Sequence, residues 1–218
     1  MASSFGGYFM MATGAIVQAA SPFYMRYYAQ KNDLVSASEA RRLTYILQIT
    51  FLLATSLGSL WMREIFQVLI QNQALQQAFP LAIIILMGYN FRPMYLAVTS
   101  LLIYREHTKK LWRISSVAGL GNVVLNFILV PIYGFEVAAA TTFIAMMYLG
   151  YAGFFLKEYR QLALVNYYPL LWLFLIIIAL LVVYELAALS VIIKVYITAF
   201  FALVSTVAAV LFRKWLNL

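Results

Sequence analysis

Long apolar runs separated by short polar breaks dominate this chain. Apolar residues fill positions 5–24, 43–62, 79–104, 114–130, 137–156, 170–184 and 189–212. Most of these runs have the length a helix needs to cross a hydrocarbon core. They are continuous rather than alternating, which predicts helices and not the strands of a membrane barrel. Residues 65–77 differ: apolar positions alternate with glutamines, as expected for an amphipathic segment lying at an interface. The run 79–104 would measure ~39 Å as a helix. It is interrupted by Asn90, Arg92 and Pro93, so a tilted or kinked span is expected. Gly6, Gly7 and Gly14 give the first run a thin face for close packing, while Gln18, Ser21 and Pro22 predict a polar, bent end. Ser36 and Glu39 have capping-box spacing, which predicts a helix starting near Ala37. Pro131 and Gly134 close one run just before Ala138, Ala139 and Ala140 open the next, so 114–156 reads as a hairpin. A second hairpin is expected around Glu185.

Charge gives these runs a direction. The segments 26–42, 105–113, 157–160 and 213–214 carry every lysine and arginine except Arg63, Arg92 and Lys194. Alternate loops agree, so these segments share one side, which the positive-inside rule makes cytoplasmic. The densest clump, Arg105, His107, Lys109, Lys110 and Arg113, anchors the run that follows it. The opposite side receives Arg63 with Glu64, Glu136 and Glu185. The result is seven spans, an external N-terminus and a cytoplasmic C-terminus. No basic region precedes the first run, so no cleavable signal peptide is expected. Either the short uncharged tail inserts directly, or the chain is the C-terminal piece of something larger.

Composition narrows the class further. The 218 residues are 65% hydrophobic and 10% charged, with mean hydropathy +0.90. Soluble domains are about half apolar and a quarter charged. An all-α, polytopic membrane bundle forming a single domain over residues 1–218 is therefore expected. The net charge of +8 lies between apolar runs, where topology explains it better than nucleic acid does. Cysteine is absent and His107 is the lone histidine, which removes disulfides and leaves little for metal or general-base chemistry. No cofactor is expected.

Three groups of residues follow one another in a telling order. Gln18, Ala19, Ser21, Pro22, Phe23 and Tyr24 come first. Gly88, Tyr89, Phe91 and Tyr95 follow, with Tyr104 and Thr108-Lys109-Lys110 behind them. Asn122, Leu125, Asn126, Leu129, Pro131, Tyr133 and Gly134, then Ala138, Ala139 and Thr142, complete the set. Over about residues 5–160 this pattern resembles the second half of oligosaccharide-lipid flippases. These are the O-antigen and polysaccharide exporters of the multidrug/oligosaccharidyl-lipid/polysaccharide superfamily. The last two helices add only hydropathy. Val137 stands where the family usually has glycine, Glu136 where it has an apolar residue, and Ala20 where tryptophan is common. Val137 should loosen the turn and Glu136 should keep it wet.

The resemblance implies one lobe of a two-lobe transporter, short of that lobe's first helix. Its partner lobe would come from another chain or a second copy. The implied activity is flipping a polyprenyl-diphosphate-linked oligosaccharide across the bacterial cytoplasmic membrane for lipopolysaccharide or other surface polysaccharide. Membrane lipids would be further partners and an ion gradient a source of drive. Alternatives remain: a non-transporting remnant or partner subunit, a related drug/cation antiporter, or a membrane transferase acting on polyprenyl phosphates. The antiporter would want a buried carboxylate, and every Asp and Glu lies near a run end. The transferase would need paired acids, and Asp33, Glu39, Glu106 and Glu158 sit singly among cations. Enzyme activity is not expected.

Candidate substrate-binding residues are Arg92, Asn90, Asn122, Asn126 and Gln18. Arg92 lies mid-run, where a charge costs about 2.5–3.5 kcal/mol on insertion scales and commonly faces a cavity. Its guanidinium suits a diphosphate; alternatively it snorkels or pairs near Pro93. Asn122 and Asn126 share a helix face and either bond neighbouring helices, at about 1 kcal/mol or less each, or line a cavity. Gln18 either ends the first helix with Ser21 and Pro22 or contacts substrate. Lys194 is expected to snorkel outward near Glu185. His107 should be solvated, and its basic loop either binds anionic lipid or only sets topology. Trp172 and Trp215 are expected in interfacial belts.

Overall fold

The computed structural model describes the backbone of residues 2–30 and 33–216, and the side chains of residues 11, 13–30, 34–73 and 75–206. Parts of the sequence reading rest on Gly6, Gly7, Lys31, Asp33, Arg213, Lys214 and Trp215, whose side chains lie outside this description. Helix α1 is Ala2–Tyr28, α2 Asp33–Leu60, α3 Met62–Leu69, α4 Gln73–Gln76 and α5 Phe79–Gly88. A 3-10 turn, Tyr89–Phe91, joins α5 to α6, Arg92–Tyr104. Then come α7 Leu111–Tyr133, α8 Val137–Tyr151, α9 Lys157–Leu162, α10 Pro169–Leu186 and α11 Val191–Leu216. No strand occurs among the described residues.

Among the described residues, five helical stretches are long and apolar enough to cross a membrane: Leu34–Leu60, Phe79–Tyr104, Thr108–Tyr133, Val137–Phe155 and Pro169–Leu186. The chain is thus a multi-pass membrane protein. The sequence count of seven adds the runs in α1 and α11. Of these, Val191–Thr206 is apolar but shorter, and α1 does not meet the criterion within its described residues.

The central span is α5–α6. Two thirds of its most apolar window (67%) is buried inside the protein, against 11% for the spans of α7 and α10. Helices α1, α2 and α8 all pack on it, while α7 packs mainly on α8. One core gathers Tyr24, Tyr28, Phe91, Met94, Leu102 and Ile176; the other gathers Met62, Phe66, Ile83, Leu86 and Tyr89. They adjoin at the 3-10 turn. Pro93 accounts for that turn: it has no N–H for the Tyr89 carbonyl, which instead accepts from the nearer Arg92 N–H.

Helix α2 is built inside out. Thr44, Gln48, Thr55 and Ser59, spaced for one helical face, are buried, while Ile46 and Ile49 are exposed. Lipid is as apolar as isoleucine, so nothing drives those side chains inward, whereas hydroxyls and amides gain partners there. Tyr24 donates to Thr44 Oγ1 at 2.6 Å, because Thr44 spends its own proton on the Ala40 carbonyl at 2.8 Å.

Loops meet as the charge pattern groups them. At one end Arg41 Nη1 donates to the Asn166 carbonyl at 3.4 Å, and Lys110 pairs with Glu158. That ammonium holds the Glu158 carboxyl below the usual carboxylate range. At the other end Arg63 Nη1 donates to the Ala188 carbonyl at 3.1 Å, and Lys194 pairs with Glu64.

Several local expectations are corrected. Helix α1 continues through Pro22 to Tyr28. Helix α2 starts at Asp33, and Ser36 is buried within it instead of capping it. Trp172 is buried against Tyr45, ring centroids 5.5 Å apart, and does not face an interfacial belt. Gly14 has open space where a Cβ would point, so no neighbour packs closely on it. The close approach lies elsewhere. A Cβ on Gly150 would sit 2.7 Å from the Phe91 Cβ and 2.8 Å from the Phe91 carbonyl oxygen. Backbone cannot swing aside as a side chain can. Gly150→Ala should therefore push α8 off the 3-10 turn, costing about 1–3 kcal/mol as overpacking does. Thermal melting of the purified protein checks this; an unchanged midpoint would refute it.

Candidate functional site

The turn at the centre of the bundle sorts the polar residues around it. Asn90 is fully enclosed. Its Nδ2 donates to Thr55 Oγ1 at 2.7 Å and to the Met87 carbonyl at 3.0 Å, while its backbone carbonyl accepts from Gln48 Nε2 at 2.8 Å. It locks the turn to α2 and cannot reach a ligand on an open face. The side-chain amide oxygens of Gln48 and Asn90 are buried without a hydrogen-bond partner among the described residues. Desolvated amide oxygens of this kind favour an ordered water.

Arg92 points the other way. From Gly88 to Leu102 every residue is buried except Arg92 and Tyr95. The middle of the most enclosed span therefore shows the outside one guanidinium and one phenol, three positions apart on one helix face. The Arg92 guanidinium lies 5.3 Å from the Tyr89 ring centroid, a cation–π contact that holds the side chain without neutralising it. Near the bilayer's middle such a cation attracts anionic groups more strongly than it would in water.

Asn126 bonds a neighbouring helix, as its spacing predicts. Its Oδ1 accepts from Thr141 Oγ1 of α8 at 2.6 Å, and its Nδ2 donates to Asn122 Oδ1 at 3.3 Å. The Thr141 bond ties α7 to α8, the Asn122 bond runs along α7, and both asparagines remain half-exposed. Gln18 is exposed on α1. Among the described residues, the Asn122–Asn126 bond is the one hydrogen bond that joins any two of the five candidates. The five do not form one cluster. Arg92, with Tyr95, is the member left half-exposed in the middle of the central span.

Two features were given no role in the sequence reading. The polar face of α2 was visible as the spacing of Thr44, Gln48, Thr55 and Ser59. Tyr95 lies three positions after Arg92, a helical-face spacing that could have marked it. Lys194 needs correction. It does not snorkel toward Glu185 but is completely buried. Its Nζ is 2.8 Å from both Glu64 oxygens and 2.7 Å from the Ala187 carbonyl. Glu64 is far from it in sequence, so no local spacing announced the pair. His107 is exposed, as expected, as are Lys109 and Arg113.

Comparison with family models, curated proteins and solved structures returned no match to this chain.

Proposed function

We propose that this chain is one lobe of a membrane transporter that carries a polyprenyl-diphosphate-linked oligosaccharide across the bacterial cytoplasmic membrane. The observation that carries this reading is Arg92: half-exposed in mid-span, where a charge is expensive to keep unless it meets something anionic. A diphosphate is such a group, and guanidinium binds its oxygens in pairs. Tyr95 beside it offers a ring for a sugar face. The lipid tail would stay in the bilayer, and a second lobe, from another chain or a second copy, would close the cavity over Arg92. In this reading α1 and α11 are the sixth and seventh spans, the Lys110–Glu158 end is cytoplasmic and the Glu64–Lys194 end external.

The test is a gene deletion. Cells lacking the chain should accumulate lipid-linked repeat units at the inner leaflet and lose the matching surface polysaccharide, and a plasmid copy should restore both. Unchanged surface polysaccharide would overturn the proposal. Loss of it without lipid-linked accumulation would favour the transferase alternative, since the substrate would then fail upstream of flipping.

A further inference from the structure

Between α9 and α10 the chain runs through 163–168 without helix, and beside this loop lies a bowl of about 590 Å³. Its floor is aromatic. Phe154 stands edge-on to Tyr159 with centroids 5.1 Å apart, and Tyr167 lies 6.0 Å from Phe154; all three are buried. Its rim is apolar and exposed, with Phe155, Leu164 and Leu170. Arg160 lies on the same rim, its guanidinium 5.6 Å from the Phe155 ring centroid.

Two features of this bowl suit an anion. Arg160 brings a permanent charge. The N-terminus of α10, an 18-residue helix, lines the bowl through Pro169, Leu170 and Leu171 and adds its partial positive charge. Among the described residues, no Asp or Glu lines the bowl. The apolar rim continues along α10, where Leu170, Leu171 and Phe174 are exposed on the membrane span.

We infer that this bowl is a binding site for an anionic glycerophospholipid. The phosphate meets Arg160 and the start of α10, and the acyl chains lie along the exposed face of α10. A bowl of this size falls within the range of small-molecule sites. A zwitterionic headgroup gains less, because its ammonium finds no carboxylate there. The site is separate from Arg92 and does not depend on what the chain transports.

Native mass spectrometry of the whole chain in detergent, with added phosphatidylglycerol or phosphatidylcholine, tests it. Wild type should retain phosphatidylglycerol about fivefold more, the preference one interfacial cation gives. Arg160→Ala should erase that preference. Lys109→Ala, in the exposed basic loop at the same end, should leave it intact. Excess inorganic phosphate should not displace the lipid, because the rim holds the tails. Equal retention of both lipids overturns the inference. So does an equal fall in Lys109→Ala, which would make the attraction a diffuse one. Displacement by phosphate overturns the lipid and leaves a bare phosphate site.

Discussion

Lys194→Met should undock the last helix from the bundle. Lys194 is fully buried, and its ammonium is shared among three oxygens: both of Glu64 and the carbonyl of Ala187. An ammonium has three protons to give, so the group is fully satisfied. Removing it leaves a largely buried carboxylate and a buried carbonyl without their donor. Losing one partner of a buried pair typically costs about 3–5 kcal/mol. An apolar crevice of about 180 Å³ lies between α11 and helices α2 and α10, and among the described residues another polar tie is Trp61 Nε1 to Thr198 Oγ1 at 3.0 Å. The chain has no cysteine, so a single Ala187→Cys reports on this contact without background. Ala187 is fully buried. Its cysteine should resist maleimide in the parent, react readily when Lys194→Met is added, and be protected again when Glu64→Gln accompanies Lys194→Met. Recovery is the decisive arm, because the double variant removes the stranded charge while keeping the cavity. A cysteine equally reactive in single and double variants would mean that Lys194 acts by packing. Unchanged protection in the single variant would mean that the pair does not hold α11.

What the sequence made legible follows from what hydropathy measures. The apolar runs gave helices because lipid forces every backbone N–H and C=O to bond within its own segment. Loop charges grouped 26–42, 105–113 and 157–160 on one side and Arg63, Glu64 and Glu185 on the other; Lys110 pairs with Glu158 at one end, and Arg63 reaches the Ala188 carbonyl at the other. Pro93 and Asn90 marked the 3-10 turn inside the central span, because proline removes a donor wherever it stands. Pro22 was read by the same rule as a helix end, yet α1 runs through it. One proline forfeits one bond, and the flanking residues still supply a continuous helix. Pairings across the fold were out of reach. Asn90 with Gln48, Asn126 with Thr141 and Lys194 with Glu64 each join different elements. A chain read in order gives each polar residue's need for a partner but not which partner meets it. That is why Asn90 looked like a ligand contact and is instead the bolt between α2 and the central turn.

The same argument singles out Arg92, whose need for a partner the fold meets only in part. Arg92→Ala should sharply reduce polysaccharide export while the protein stays folded in the membrane. A charge-assisted hydrogen bond is worth about 1.5–3 kcal/mol, which corresponds to roughly a ten- to hundredfold loss in transport rate. Arg92→Lys should keep part of the activity, since it retains the charge but loses the paired geometry that fits a diphosphate. The competing explanation is that Arg92 serves only to stack on Tyr89, from whose ring it lies 5.3 Å. Tyr89→Leu separates the two, because it removes the ring and leaves the guanidinium. If Arg92 acts on substrate, Tyr89→Leu should lower the melting midpoint, since Tyr89 is buried, and yet export far better than Arg92→Ala. If Arg92 is structural, the two variants should lose stability and export together, and Arg92→Ala should be rescued by lowering the growth temperature. Export assayed at two temperatures, beside melting of each purified variant, decides between them. Rescue by cold would remove the one residue on which the transport reading stands. Loss of export at both temperatures with a normal melt would place the guanidinium on the path of an anionic headgroup.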